Sequence, residues 1–67
     1  MTVITSAPTQ EDAIKLAIEK SRGDMERFDV IPTSHGWGTG KNFPEFIVNL
    51  LSIGYAVNGV WTSLLIE

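Results

Sequence analysis

The dipeptide Asn58-Gly59 interrupts a 21-residue stretch, Phe46 to Ile66, that carries no charge. Asn-Gly suits a two-residue hairpin turn because both central residues of that turn take positive φ, which these two residue types tolerate. A bilayer span needs about 20 apolar residues, so the stretch is long enough to cross a membrane. Against that reading stand the turn signal itself, the polar Asn49 and Asn58, and the absence of any Lys or Arg after the stretch to set an orientation. The expectation is a soluble body in which this segment folds as a helix and then a hairpin, with Tyr55 to Val57 and Val60 to Ile66 as its arms. Strict alternation sends Trp61, Ser63 and Leu65 one way and Val60, Thr62, Leu64 and Ile66 the other. A strand apolar on both faces is expected either in the middle of a sheet or at a joint between subunits.

The helix before the hairpin is expected from the cap-like pair Asn42 and Glu45, Pro44 in the first turn, and the apolar run Phe46, Ile47, Leu50, Leu51, Ile53 up to Gly54. A first helix is marked more clearly. Thr9 and Asp12 approximate a capping box, Glu11 and Asp12 complement the positive end of the dipole, Lys20 and Arg22 the negative end, and Gly23 supplies the stop. Its Ala13, Ile14, Ala17, Ile18 and Ser21 share a face, widened by Leu16, and the alanines allow close approach to a sheet. Thr2 to Thr5 and Phe28 to Ile31 read as strands, each ended by a proline, with Phe28 and Val30 on one face. Tyr55 and Trp61, lying across the turn, are candidates to pair on one face, mainly as core. The whole reading is an α+β fold over residues 1–67 as one domain, in the order β-α-β-α-β-β, with two helices on a sheet.

At 67 residues the core is small, and scaffolds of this size usually need a disulfide, a metal or association for support. There is no cysteine, which removes disulfides, thiolate metal sites and a cysteine nucleophile together. His35 is the single histidine and the acidic residues lack calcium-loop spacing, so neither a metal nor any other cofactor is expected. Association is the support that remains. Eight acidic and five scattered basic residues give a net charge of −3, which offers no phosphate-tracking stripe and argues against direct nucleic-acid binding. The amino terminus lacks a basic region followed by an apolar run, so a secretory signal is not expected and the cytoplasm is the default location.

The segment Thr33 to Lys41 is expected as a loop, with Gly36, Gly38 and Gly40 around Trp37 and beside His35. It superficially resembles a phosphate-binding loop, but His35 stands where the motif needs glycine and Asn42 where it needs Ser or Thr. What survives is a glycine-rich segment ahead of a helix, with Lys41 adding charge, which would suit a carboxylate or phosphate. Trp37, with only glycines beside it, reads as an exposed anchor. The run Asp24 to Arg27 is expected as a solvated turn with Met25 tucked beneath it, or as an acidic contact patch with Asp29.

No nucleophile, base and orienting group can be assembled by spacing, so an enzyme is not expected. The composition points to a small acidic protein-binding regulator or inhibitor that occupies a surface of a larger protein. A phage-type antagonist of a host enzyme is one protein of that description. Its contacts are expected at His35, Gly36, Trp37, Gly38, Gly40 and Lys41. The alternative is a homo-oligomeric module that binds a small molecule or anion at loop 36–41.

Overall fold

A computed structural model describes residues 3–64. The elements are β1 (Val3–Ala7), α1 (Gln10–Ser21), β2 (Phe28–Thr33), β3 (Gly36–Lys41), α2 (Glu45–Leu51), β4 (Gly54–Val57) and β5 (Val60–Ser63). The five strands form one sheet in the order β1-β3-β2-β4-β5, and every neighbouring pair is antiparallel. The expected α+β class, two helices and carboxy-terminal hairpin are present. One strand is additional, because Gly36 to Lys41 is not a loop but the second arm of a hairpin with β2, paired on its other side with β1. Glycine is a weak strand former, but here two neighbouring ladders satisfy its backbone and outweigh the local preference.

Helix α1 begins as its capping residues dictate, with Thr9 Oγ1 accepting from the Asp12 N–H at 3.1 Å. It lies on one face of the sheet through Ala13, Ala17 and Ser21, spaced i, i+4, i+8 and all 0% exposed. Thr39, in the middle of the sheet, donates its Oγ1 proton to the Ala13 carbonyl at 2.9 Å, so Thr39 and its partner Val30 face the helix. Alternation then assigns Phe28, Ala56, Trp61 and Trp37 to the same side, and these pack with Ile14, Leu16, Ile18 and Ile53 around the alanines.

The turn at Asn58-Gly59 also closes the end of α1. Asn58 and Gly59 take φ of 49° and 81°, the left-handed values a type I′ turn requires. Gly59 N–H donates to Ser21 Oγ at 2.9 Å, Gly23 N–H donates to Asn58 Oδ1 at 3.1 Å, and Asn58 N–H donates to the Asp24 carbonyl at 3.2 Å. The turn that follows α1 is thus tied to a hairpin 34 or more residues further along the chain.

Helix α2 has seven residues, starts after Pro44 with no side-chain cap, and buries none of its side chains. It is shorter than expected, and Asn42 is not its cap; at φ 64° Asn42 instead turns the chain out of β3. Among the described residues no helix is long and apolar enough to cross a membrane, since 46–64 is divided between α2 and the β4–β5 hairpin. Leu65 and Ile66 lie outside the described residues. β5 is an edge strand, so the expectation of a central position in the sheet is not met. Pro32 sits in β2 beyond Val30, where the pairing with β4 has ended, so its missing N–H costs no ladder bond on that side.

Ala17→Leu would push three extra heavy atoms into the α1–sheet contact and should destabilise the fold by about 2 kcal/mol. Lys15→Ala, which removes only an exposed pair with Glu11, should cost under about 0.5 kcal/mol. Urea unfolding of both variants beside the wild type measures the difference.

Candidate functional site

The residues expected to form a binding loop are dispersed by β3. Gly38 and Gly40 are buried in the sheet, between β1 and β2. A Cβ at Gly38 would lie 2.8 Å from Ile4 Cγ2 and 3.1 Å from Thr33 Cγ2, so this glycine makes room for two side chains that close over it. Gly36, at φ 127°, ends the β2–β3 turn, with the Ala7 carbonyl 2.8 Å from where its Cβ would be. Trp37 is half-buried between Ala7 and Pro32 and packs against the core, which corrects its reading as an exposed anchor. His35 alone is exposed, at the turn, where its N–H donates to Thr33 Oγ1 at 3.3 Å. The backbone of 36–41 runs between two strands, so no amide cradle for an anion is built there.

Lys41 is also engaged. Its Nζ lies 3.1 Å from Asp24 Oδ2 and 3.8 Å from Glu26 Oε2, and 5.6 Å from the centroid of the Phe28 ring. Asp24 Oδ1 accepts the Glu26 N–H at 2.9 Å. That bond first, and Lys41 second, hold the Asp24 carboxyl below its ordinary value, while the bond to Asp24 raises Lys41. Met25, expected beneath this turn, is 83% exposed.

On the face away from α1 lies a second polar cluster that spacing did not reveal. Asp29 is 2% exposed and takes a two-pronged bond from Arg27, Nε to Oδ1 at 2.9 Å and Nη2 to Oδ2 at 2.7 Å. Ser52 Oγ lies 2.8 Å from Asp29 Oδ2 and 3.0 Å from the Gly54 carbonyl, sharing its proton between them. The Arg27 guanidinium stacks 3.8 Å from the centroid of the Tyr55 ring. Tyr55 and Trp61 therefore do not pair. Tyr55 faces Arg27, while Trp61 turns to the core, where Gly54 leaves space for its ring at 2.5 Å from a Cβ position. Asp29 is buried and paired, which excludes it from an acidic contact patch.

Beside this cluster a shallow depression of about 240 Å³ is lined by Glu26, Arg27, Asp29, Asn42, Phe43 and Val48. Arg27 and Asp29 satisfy each other there, and Glu26 faces Lys41 at 3.8 Å. A second, on the outer side of α1, is bordered by Lys15, Ile18, Glu19 and Arg22. Among the described residues no three of His, Asp and Glu converge as a metal-binding set.

The feature most unlike an ordinary surface is the second face of the sheet. Alternation places Ile4, Ile31, Tyr55, Val57, Val60 and Thr62 there, and α2 crosses it over β2 alone among the described strands. Phe46 and Leu50, one helical turn apart, are 63% and 79% exposed and form a ridge, with Leu51, Val60, Leu64 and Ile4 also exposed. The sequence leaves α2 without charge after Glu45. The chain's own sheet half-covers Ile47 and Val48, while Phe46, Leu50 and Leu51 stay exposed.

Arg27→Met keeps the stem of the side chain but strands the buried Asp29 carboxylate, and should destabilise by about 3 kcal/mol in denaturant unfolding at neutral pH. The Lys41 pair is pH-dependent on both sides. A lowered carboxyl contributes above its unfolded pKa and loses that contribution as pH falls through the folded value; a raised ammonium contributes below its unfolded pKa and loses it as pH rises through the folded value. The melting temperature of wild type should therefore exceed that of Lys41→Met at neutral pH, with the gap closing below about pH 4 and above about pH 10.5. No family model matches the chain, and neither does any curated protein or solved structure.

Proposed function

We propose that this protein is a protein-binding regulator or inhibitor that occupies a surface of a larger protein with α2 and the sheet face beside it, rather than with residues 35–41. The single observation that supports this reading is the Phe46–Leu50 ridge, exposed, uncharged and mounted on a sheet face that no other element covers among the described residues. Exposed aromatic and leucine side chains at i and i+4 are the usual means by which a helix enters an apolar groove. Contiguous apolar surface of this kind marks interaction sites on small proteins. The Arg27–Asp29–Ser52 cluster contributes by holding the chain immediately after α2 onto β2 and β4, so that the ridge is presented rigidly. Pre-organisation of this sort reduces the ordering cost of binding. Acting without catalysis, and in the cytoplasm, belongs to the same proposal.

Replacing Phe46 and Leu50 together by Ser should leave the circular dichroism spectrum unchanged, because neither side chain is buried. Capture of the target from native lysate should fall by more than tenfold, as about 1.4 kcal/mol or more of apolar burial is lost. Undiminished capture by the double variant would remove α2 from the contact surface.

A further inference from the structure

We infer that, when no target holds it, the same face closes on a second copy of this chain about a two-fold axis, so that the free protein is a homodimer with its binding ridge covered. This rests on the reading of that face as a protein-contact surface and identifies its resting occupant.

Charge is the first ground. The ionic side chains of α1, from Glu11 to Arg22, lie across the sheet from this face. On and beside this face Arg27 and Asp29 neutralise each other at 2.7 Å, Glu26 is paired with Lys41 at 3.8 Å, and Glu45 stands at the start of α2. Two copies each carrying a net charge of −3 meet with least repulsion through the side whose charges are mostly paired within each copy. A basic target groove would be drawn to the opposite side, so neutrality favours a partner that is itself neutral there.

Shape is the second ground. An isologous contact requires a patch complementary to itself. Because α2 stands over β2 alone, the strands β4 and β5 beside it form a lower shelf of Val57, Val60 and Thr62, bordered by Tyr55 with Arg27 stacked on its ring. A two-fold axis sets the Phe46–Leu50 ridge of each copy on the shelf of the other. Phe46, Leu50 and Val60 are 63%, 79% and 65% exposed, with Leu51 and Leu64 beside them, and make up much of the apolar part of an interface that in a stable dimer of ordinary size takes about 800 Å² per partner.

The interior is the third ground. Among the described residues, four of the seven buried apolar side chains are alanine, while Phe46, Leu50, Leu51, Val60 and Leu64 stand in solvent. A domain this small without cross-links commonly obtains its missing burial by association.

Size-exclusion chromatography with light scattering, run on the full chain from low micromolar to millimolar concentration, tests the inference. The wild type should show twice the 7.4 kDa chain mass, and Leu50→Glu, a change at a position 79% exposed, should show a single chain with an unaltered circular dichroism spectrum. A wild type that is monomeric throughout overturns the dimer, and so does a dimer that survives both Leu50→Glu and Phe46→Glu. Target capture, measured separately with the Phe46→Ser/Leu50→Ser variant, distinguishes the two proposals. A monomer whose capture still depends on the ridge overturns the dimer and leaves the regulator reading in place.

Discussion

Everything in this fold depends on how closely α1 can approach the sheet. Ala13, Ala17 and Ser21 lie in a row with no side chain larger than a hydroxymethyl group, and all three are fully buried. That closeness lets Thr39 reach the Ala13 carbonyl and lets the Asn58-Gly59 turn reach Ser21 and Gly23. Two strands distant in sequence are thereby tied to one helix. A bulkier residue in the row would lift the helix and break polar contacts at both ends together.

Close packing on one face has a consequence for the other. With a single twelve-residue helix over five strands, one layer is well covered, and the opposite face is left to a seven-residue helix that touches one strand. The polar groups there are resolved internally, by Arg27, Asp29 and Ser52, and the buried carboxylate is neutral in effect. What remains exposed includes the apolar Phe46, Leu50, Leu51 and Val60, with Asn49 and Thr62 among them. A surface of that composition gains little from water and much from another protein, which is why function is placed on it.

The glycine-rich segment shows how local composition misleads. Three glycines beside a tryptophan carry no periodicity, and nothing within nine residues reveals that both flanking ladders exist. β1 lies some thirty residues upstream of its partner, so the pairing that turns a loop into a strand is non-local. Once Gly38 is a strand residue, its missing side chain is explained by Ile4 and Thr33 above it, not by a ligand. Asp29 was equally hidden, since its burial depends on Arg27, Ser52 and Tyr55 meeting from three segments.

Residue chemistry alone specified the parts whose causes are local: the Thr9 cap, the alanine face of α1, the Asn58-Gly59 turn, the alternation of β5 and the lack of charge on α2 after Glu45. Each follows from interactions within about four residues along the chain or from a fixed backbone period. Tertiary structure decided that 36–41 is a central strand, that Trp37 and Trp61 face the core, and that Phe46 and Leu50 face outward. An uncharged helix can bury its apolar side chains or display them, and only the number of layers available to cover it determines which.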